Sequence, residues 1–188
     1  MKPRLRLLVL AVVVASTAQA HSPGLLDPDE PFDVADATIS RALYGNFRSG
    51  GEVFVLRMSF PEGFAFPLEV FVPHRDSLRE HRPAYALVGP GLPTPPPEVV
   101  ARLPSALPAG HGAFIDFSDE NPRPVFYESF TRRFFWSSGV TGYVVPPGEI
   151  ELWIWSPQGT TGKFGVGFGV EEDVDWREAL KNWSDYAY

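Results

Sequence analysis

The chain has 188 residues, no cysteine, 44% hydrophobic residues and a formal net charge of −7. Without cysteine there is neither a disulfide framework nor a thiolate site, while the length suffices for a domain stabilised by core burial alone. The acidic balance excludes a nucleic-acid or anionic-lipid binder that works through overall charge.

The first 20 residues, MKPRLRLLVLAVVVASTAQA, place Lys2, Arg4 and Arg6 before an apolar run from Leu7 to Ala15 and close on Ala18-Gln19-Ala20. That is the pattern of a secretory signal peptide cleaved after Ala20. No later stretch approaches the roughly 20 apolar residues of a membrane span. The leader holds three basic residues and no acidic one, so the remaining 168 residues carry a net charge of −10. A periplasmic or extracellular location is expected, with no transmembrane anchor after cleavage. Asn182-Trp183-Ser184 matches a glycosylation sequon, which matters only in a eukaryotic host.

Residues 21–49, rich in Asp, Pro and Gly, read as an N-terminal arm lying along the domain. From Gly50 to about Val170 short alternating runs recur between turn residues: EVFVLRMSF, PLEVFVP, AYALV, AFIDF, PVFYESF, RRFFW and GYVV. In the first, Phe54, Leu56, Met58 and Phe60 share one face; in the second, Leu68, Val70 and Val72 oppose Glu69 and Phe71. With 20 prolines and 17 glycines punctuating them, these runs predict an all-β chain, an antiparallel β-sandwich of jelly-roll type. A proline-studded connection (89–112) interrupts them, with room for one helical turn at Glu98 to Leu103. Residues 171–188 form the C-terminal tail, where Trp176, Leu180 and Trp183 at helical spacing, with Asp175 as N-cap, predict a short amphipathic helix.

The last two strands carry the most distinctive pattern, ELWIWSPQGTTGKFGVGFGVEED (151–173). Ile150, Leu152, Ile154, Phe164, Val166, Phe168 and Val170 make a core face at period two, each stabilising the fold by roughly 1.5–3 kcal/mol on burial. Joined by SPQGTTG as a hairpin, the strands would show Trp153 and Trp155 beside a groove over Gly165, Gly167 and Gly169 on the opposite face. Three fillers are open: the indoles folding over the glycines, the arm or C-terminal helix as a lid, or a ligand such as a sugar on an aromatic platform.

Chemistry-bearing residues are few. His21, first in the mature chain, offers an amine and a ring nitrogen to Cu(II), with His74, His81 or His111 as second ligand. Secreted copper-dependent polysaccharide monooxygenases and small periplasmic copper carriers begin with histidine and share the fold class, but no spacing selects among the three partners. Arg75, Arg79 and Arg82 form a local basic patch for an anion or a partner's carboxylates, tempered by Asp76 and Glu80. Asp116, Asp119, Glu120 and Asn121 are hard oxygen donors of the kind Ca²⁺ uses, without EF-hand spacing. Glu128 sits among aromatics, where burial would raise its pKa and a salt bridge to Arg132 or Arg133 is expected. No catalytic motif is present.

The order GEVFVLRMSF, PLEVFVP, FFWSSG and PPGEIELWIWSPQGTTGKFGVGFGVEE resembles the bacterial pre-peptidase C-terminal type of domain, with Gly148, Ile150, Leu152, Gly162 and Phe164 at the corresponding pattern positions over about residues 50–170. Trp153, Trp155, the proline loop and the arm depart from it, and no peptidase domain precedes it. The resemblance implies an accessory sandwich that binds polysaccharide, protein or calcium and carries no catalytic residue over. The expectation is an exported, non-catalytic binding protein contacting a glycan, a protein or a small ligand through Trp153, Trp155 and the 74–82 loop. The rival is a copper protein anchored on His21 and directed at polysaccharide.

Overall fold

The computed structural model describes residues 22–119, 122–128 and 130–171. His21, the leader, Glu120, Asn121, Asn182 and the helix expected over 175–183 lie outside them. In chain order the elements are β1 (Ser22–Leu25), β2 (Phe32–Val34), β3 (Arg41–Phe47), β4 (Val53–Phe60), β5 (Phe64–Pro73), a 3₁₀ turn (Asp76–Leu78), β6 (Ala84–Pro90), α1 (Pro97–Val100), β7 (His111–Asp116), β8 (Val125–Glu128), β9 (Arg133–Ser137), β10 (Thr141–Val145), β11 (Gly148–Trp155) and β12 (Gly162–Phe168). Every alternating run read from the sequence becomes a strand, and α1 is the helical turn expected in the proline-studded connection.

The strands form a two-sheet sandwich. One sheet runs β1-β3-β12-β5-β9-β8, with β10 beside β5, and the other runs β2-β4-β11-β6-β7. Both are antiparallel except at one edge, where β1 lies parallel to β3 and β2 parallel to β4. The segment read as an arm is thus built into both sheets: β1 and β2 are edge strands, and β3 lies inside, between β1 and β12. Ala42, Leu43, Tyr44 and Phe47 of β3 are all buried, which explains why so acidic a segment ends in sheet.

The core lies between the sheets. Leu56, Met58, Leu68, Val70, Leu87, Ile150, Leu152, Ile154, Phe164 and Val166 are all at most 3% exposed. Phe47, Phe54 and Phe164 meet with ring centroids 4.8–5.0 Å apart. These are the faces that alternation assigns inward. Val170 is the exception at 58% exposed. Gly169 turns at φ +82 and the amides of Val170 and Glu171 bond the Thr38 carbonyl, so the strand ends at Phe168 and period two no longer applies.

The hairpin expected from β11 and β12 does not form. β11 is paired on both sides, to β4 and β6, and β12 on both sides, to β3 and β5. The connection from Ser156 to Thr161 carries the chain from one sheet to the other, so the two core faces meet across the sandwich instead of lying side by side. The tryptophans and the glycines consequently sit on opposite outer surfaces of the molecule, and neither can fill the other.

Two glycines of β12 differ in what surrounds them. A Cβ on Gly165 would overlap the Phe71 ring, whereas one on Gly167 would have only Phe71 Cε1 at 3.7 Å and the Arg41 carbonyl at 4.0 Å. Gly165→Ala is expected to cost about 1–3 kcal/mol by overpacking, while Gly167→Ala should stay within about 1 kcal/mol of wild type. Chemical denaturation of the two variants side by side checks this.

Candidate functional site

Trp153 and Trp155 are 6% and 4% exposed. Their register partners on β6 are Ala86 and Ala84, whose small side chains leave room for the indoles. Leu103 and Leu107, from the proline-studded connection, pack over them together with Val53, Val55, Ile115 and Phe117. The Trp153 indole donates to Glu151 Oε2 at 2.8 Å, and Phe117 meets Trp155 edge-on at 6.0 Å. The connection that looks merely long in the sequence is therefore the lid of this face. A hollow of about 500 Å³ reaches the Trp155 end, lined in part by Gly50, Arg102 and Pro104.

The described histidines occupy three unlike places. His74 is exposed and its ring lies 4.5 Å from Trp136. His81 is 2% exposed, with Nδ1 paired to the Thr160 hydroxyl at 2.8 Å. Burial, reinforced by the Arg123 charge and partly offset by the Gly162 backbone, lowers its pKa to about 4. His111 is half-buried at the start of β7 in the other sheet, its Nδ1 bonded to the Ala109 carbonyl at 3.2 Å. Among the described residues no group of three or more His, Cys, Asp or Glu is placed to hold a metal ion.

The basic patch gains a member the sequence does not place there. Arg123 donates to the carbonyls of His81, at 3.0 Å, and Arg79, clamping the loop, and its guanidinium stacks on Trp136 at 4.5 Å. Arg82 donates to the Ser118 carbonyl at 3.2 Å and Arg79 pairs with Asp76 at 3.1 Å. Burial, then Arg82, lowers the Arg123 pKa to about 10. Arg75 stands near enough to Lys163 to depress it further than burial alone does. Much of this positive charge is spent tying the 74–82 loop to the chain that follows β7.

The acidic stretch after β7 is also structural where described. Asp116 accepts from the Tyr85 hydroxyl at 3.1 Å and from the Ser118 amide at 2.6 Å, and Asp119 pairs with Arg102 at 3.7 Å. Glu128, 5% exposed, makes none of the described ion pairs with Arg132 or Arg133. Its oxygens accept from the Phe130 amide at 2.8 Å and from the Thr131 amide and hydroxyl, both at 2.6 Å. Closing the β8–β9 turn in this way satisfies the buried carboxylate without a cation.

A second concavity lies on the outer face of the larger sheet, a cleft of about 310 Å³ whose lining includes Glu69, Phe71, Phe126, Glu128, Gly167 and Val170. Its depth follows from register. Gly167 is the Cα partner of Glu69 and also of Ala42, so no large side chain rises beside Glu69 on β12 or β3. On the other flank the strand partnering β5 is broken: β9 ends at Ser137 and β10 begins at Thr141, with Gly139 at φ +85. Val70 is held there by Ser138, through its amide to the Ser138 hydroxyl at 3.1 Å and its carbonyl to the Ser138 amide at 2.8 Å. The Ser137 hydroxyl donates to Glu69 Oε1 and accepts from the Gly139 amide at 2.6 Å. Phe71 and Phe126, edge-to-face at 5.5 Å, form one wall, and Val140 and Val170, 69% and 58% exposed, stand at the rim. Burial pushes the Glu69 carboxyl above its ordinary range, and the Ser137 hydroxyl offsets part of this.

Sequence reasoning places Glu69 and Phe71 on the outer face and marks the glycines as a close-approach site. It does not bring them together, because the partner strand of β12 is not encoded in its own alternation.

Two outcomes follow. The unfolded chain binds a proton on His81 near the ordinary 6.5, whereas the folded chain keeps the ring neutral down to about 4. The His81 contribution is therefore intact above about pH 6.5 and is lost as pH falls, by about 2 kcal/mol between about pH 7 and about pH 5. His81→Asn, which keeps a donor for Thr160, should lose less stability over that interval in paired denaturation curves. Trp153→Ala should cost about 3–5 kcal/mol by opening a cavity under the Leu103 and Leu107 lid, read as a lowered denaturation midpoint.

No family model matches the sequence, and no curated protein matches it. Among solved structures, the chain is similar to the pre-peptidase C-terminal domain of collagenase from Bacillus anthracis, with 10% identity and a TM-score of 0.40 over 74% of this chain and 94% of that one.

Proposed function

We propose that this is an exported, non-catalytic β-sandwich that binds a small ligand or an exposed group of a larger one in the cleft over Gly167. Export rests on the leader pattern of residues 1–20. Among the described residues no helix is long and apolar enough to cross a membrane. The observation that carries the binding reading is the cleft itself. Its floor is a bare strand at Gly167, its wall is aromatic, and Glu69 is held half-buried with a single hydroxyl donor. A glycine inside a central strand and a carboxylate taken out of water both cost stability, and neither is needed to pair β12 with β5.

Binding fits better than catalysis. Glu69 and Glu128 line the same cleft, but Glu128 is engaged by three donors of its own turn and is not available as the second member of an acid/base pair. The tryptophan face lies beneath its lid, so contact is assigned to the opposite surface of the sandwich.

An NMR screen of small compounds and short oligosaccharides against the full mature chain and Gly167→Val tests this. Binding is expected to shift the amides of Gly165 to Val170 in wild type and to be lost in Gly167→Val, with the thermal midpoint of the variant little changed. Ligands that shift only residues around Arg79 and Trp136, or that bind both proteins equally, would overturn it.

A further inference from the structure

The chemistry of the cleft narrows what it takes, given the binding reading above. We propose that its ligand is a small organic cation, a primary ammonium on an apolar stem, with the ammonium against Glu69 and the stem along Phe71 and Phe126.

Charge is the first reason. Two carboxylates line the cleft, and no described lysine, arginine or histidine does. Glu69 makes no described ion pair, and its one described hydrogen-bond partner is the Ser137 hydroxyl. A carboxylate in this position retains lone pairs that an ammonium N–H can use, and away from bulk water the attraction is several times stronger than at an open surface. A neutral ligand would leave the desolvated charge without compensation, and an anion would add repulsion from Glu69 and Glu128 together.

The walls are the second reason. Phe71 and Phe126, which meet edge-to-face, both line the cleft, and phenyl rings attract cations within about 6 Å of a ring face. Val140 and Val170, exposed at the rim, add apolar surface suited to methylenes. A volume of about 310 Å³ lies at the lower end of ligand pockets, which suits an alkylamine better than a folded chain segment. The missing side chain at Gly167 leaves the space beside Glu69 that such a head group needs.

The test is an NMR titration of the full mature chain with hexylammonium, hexanol and hexanoate, repeated on Glu69→Gln and Gly167→Val. Hexylammonium is expected to shift the Gly165 to Val170 amides and to bind at least about tenfold tighter than hexanol, one charge-assisted hydrogen bond's worth. Hexanoate is expected not to bind. Glu69→Gln should erase the preference and Gly167→Val should abolish binding. Equal affinity for hexylammonium and hexanol, both lost in Gly167→Val, would overturn the cation proposal while leaving the cleft as a binding site. Hexylammonium binding unchanged in Glu69→Gln would overturn it too, as attachment elsewhere on an acidic surface. No shift with any of the three probes would overturn the cation proposal, while the cleft reading itself is decided by the compound and oligosaccharide screen above. Should Glu69→Gln fail to fold, the comparison of the three probes on wild type still decides.

Discussion

Everything distinctive about this molecule depends on β11 and β12 meeting face to face across the sandwich instead of edge to edge. Each is a central strand with partners on both sides, so the Ile150, Leu152 and Ile154 face closes on the Phe164, Val166 and Phe168 face with the aromatic cluster of Phe47 and Phe54 at one end. The short connection from Ser156 to Thr161 cannot leave the strands adjacent, because β4 and β6 already saturate one and β3 and β5 the other. Two strands that share a single apolar rhythm are thereby made the middles of two different sheets.

That arrangement gives the sandwich two unlike outer surfaces. On one, large indoles are accommodated by alanines on the neighbouring strand and sealed by leucines from a proline-rich loop; volume removed at Ala84 and Ala86 is volume filled by Trp155 and Trp153. On the other, glycines expose the strand, and the Phe71 ring lies over Gly165 while Gly167 keeps its space. The same device, a small residue opposite a large one, is completed on the first face and left open on the second. An opening of this kind lowers stability, and Glu69 lowers it further by holding a carboxylate partly away from water, the two features on which the binding proposal rests.

The loops follow a complementary logic. Charges that look available in the sequence are mostly committed to backbone groups. Arg123 clamps the 74–82 loop through carbonyls, Glu128 closes a turn through amides, and Asp116 holds both a tyrosine and the Ser118 amide. A sandwich whose chain crosses between sheets at most of its connections leaves many loop carbonyls and amides without ladder partners, and these side chains supply them.

The sequence by itself determined the strands and their inward faces, because alternation at period two is a local property that burial enforces wherever the strand is placed. It also determined that the indoles and the glycines lie away from the core, and that Glu69 and Phe71 share a face. Only tertiary structure decided which strand pairs with which: that Gly167 stands opposite Glu69, that residues 89–112 cover Trp153, that Arg123 joins a loop 42 residues before it at His81, and that Val170 leaves the core after a turn at Gly169. Alternation specifies a strand's two faces and carries no record of its neighbours, and the cleft exists only between neighbours.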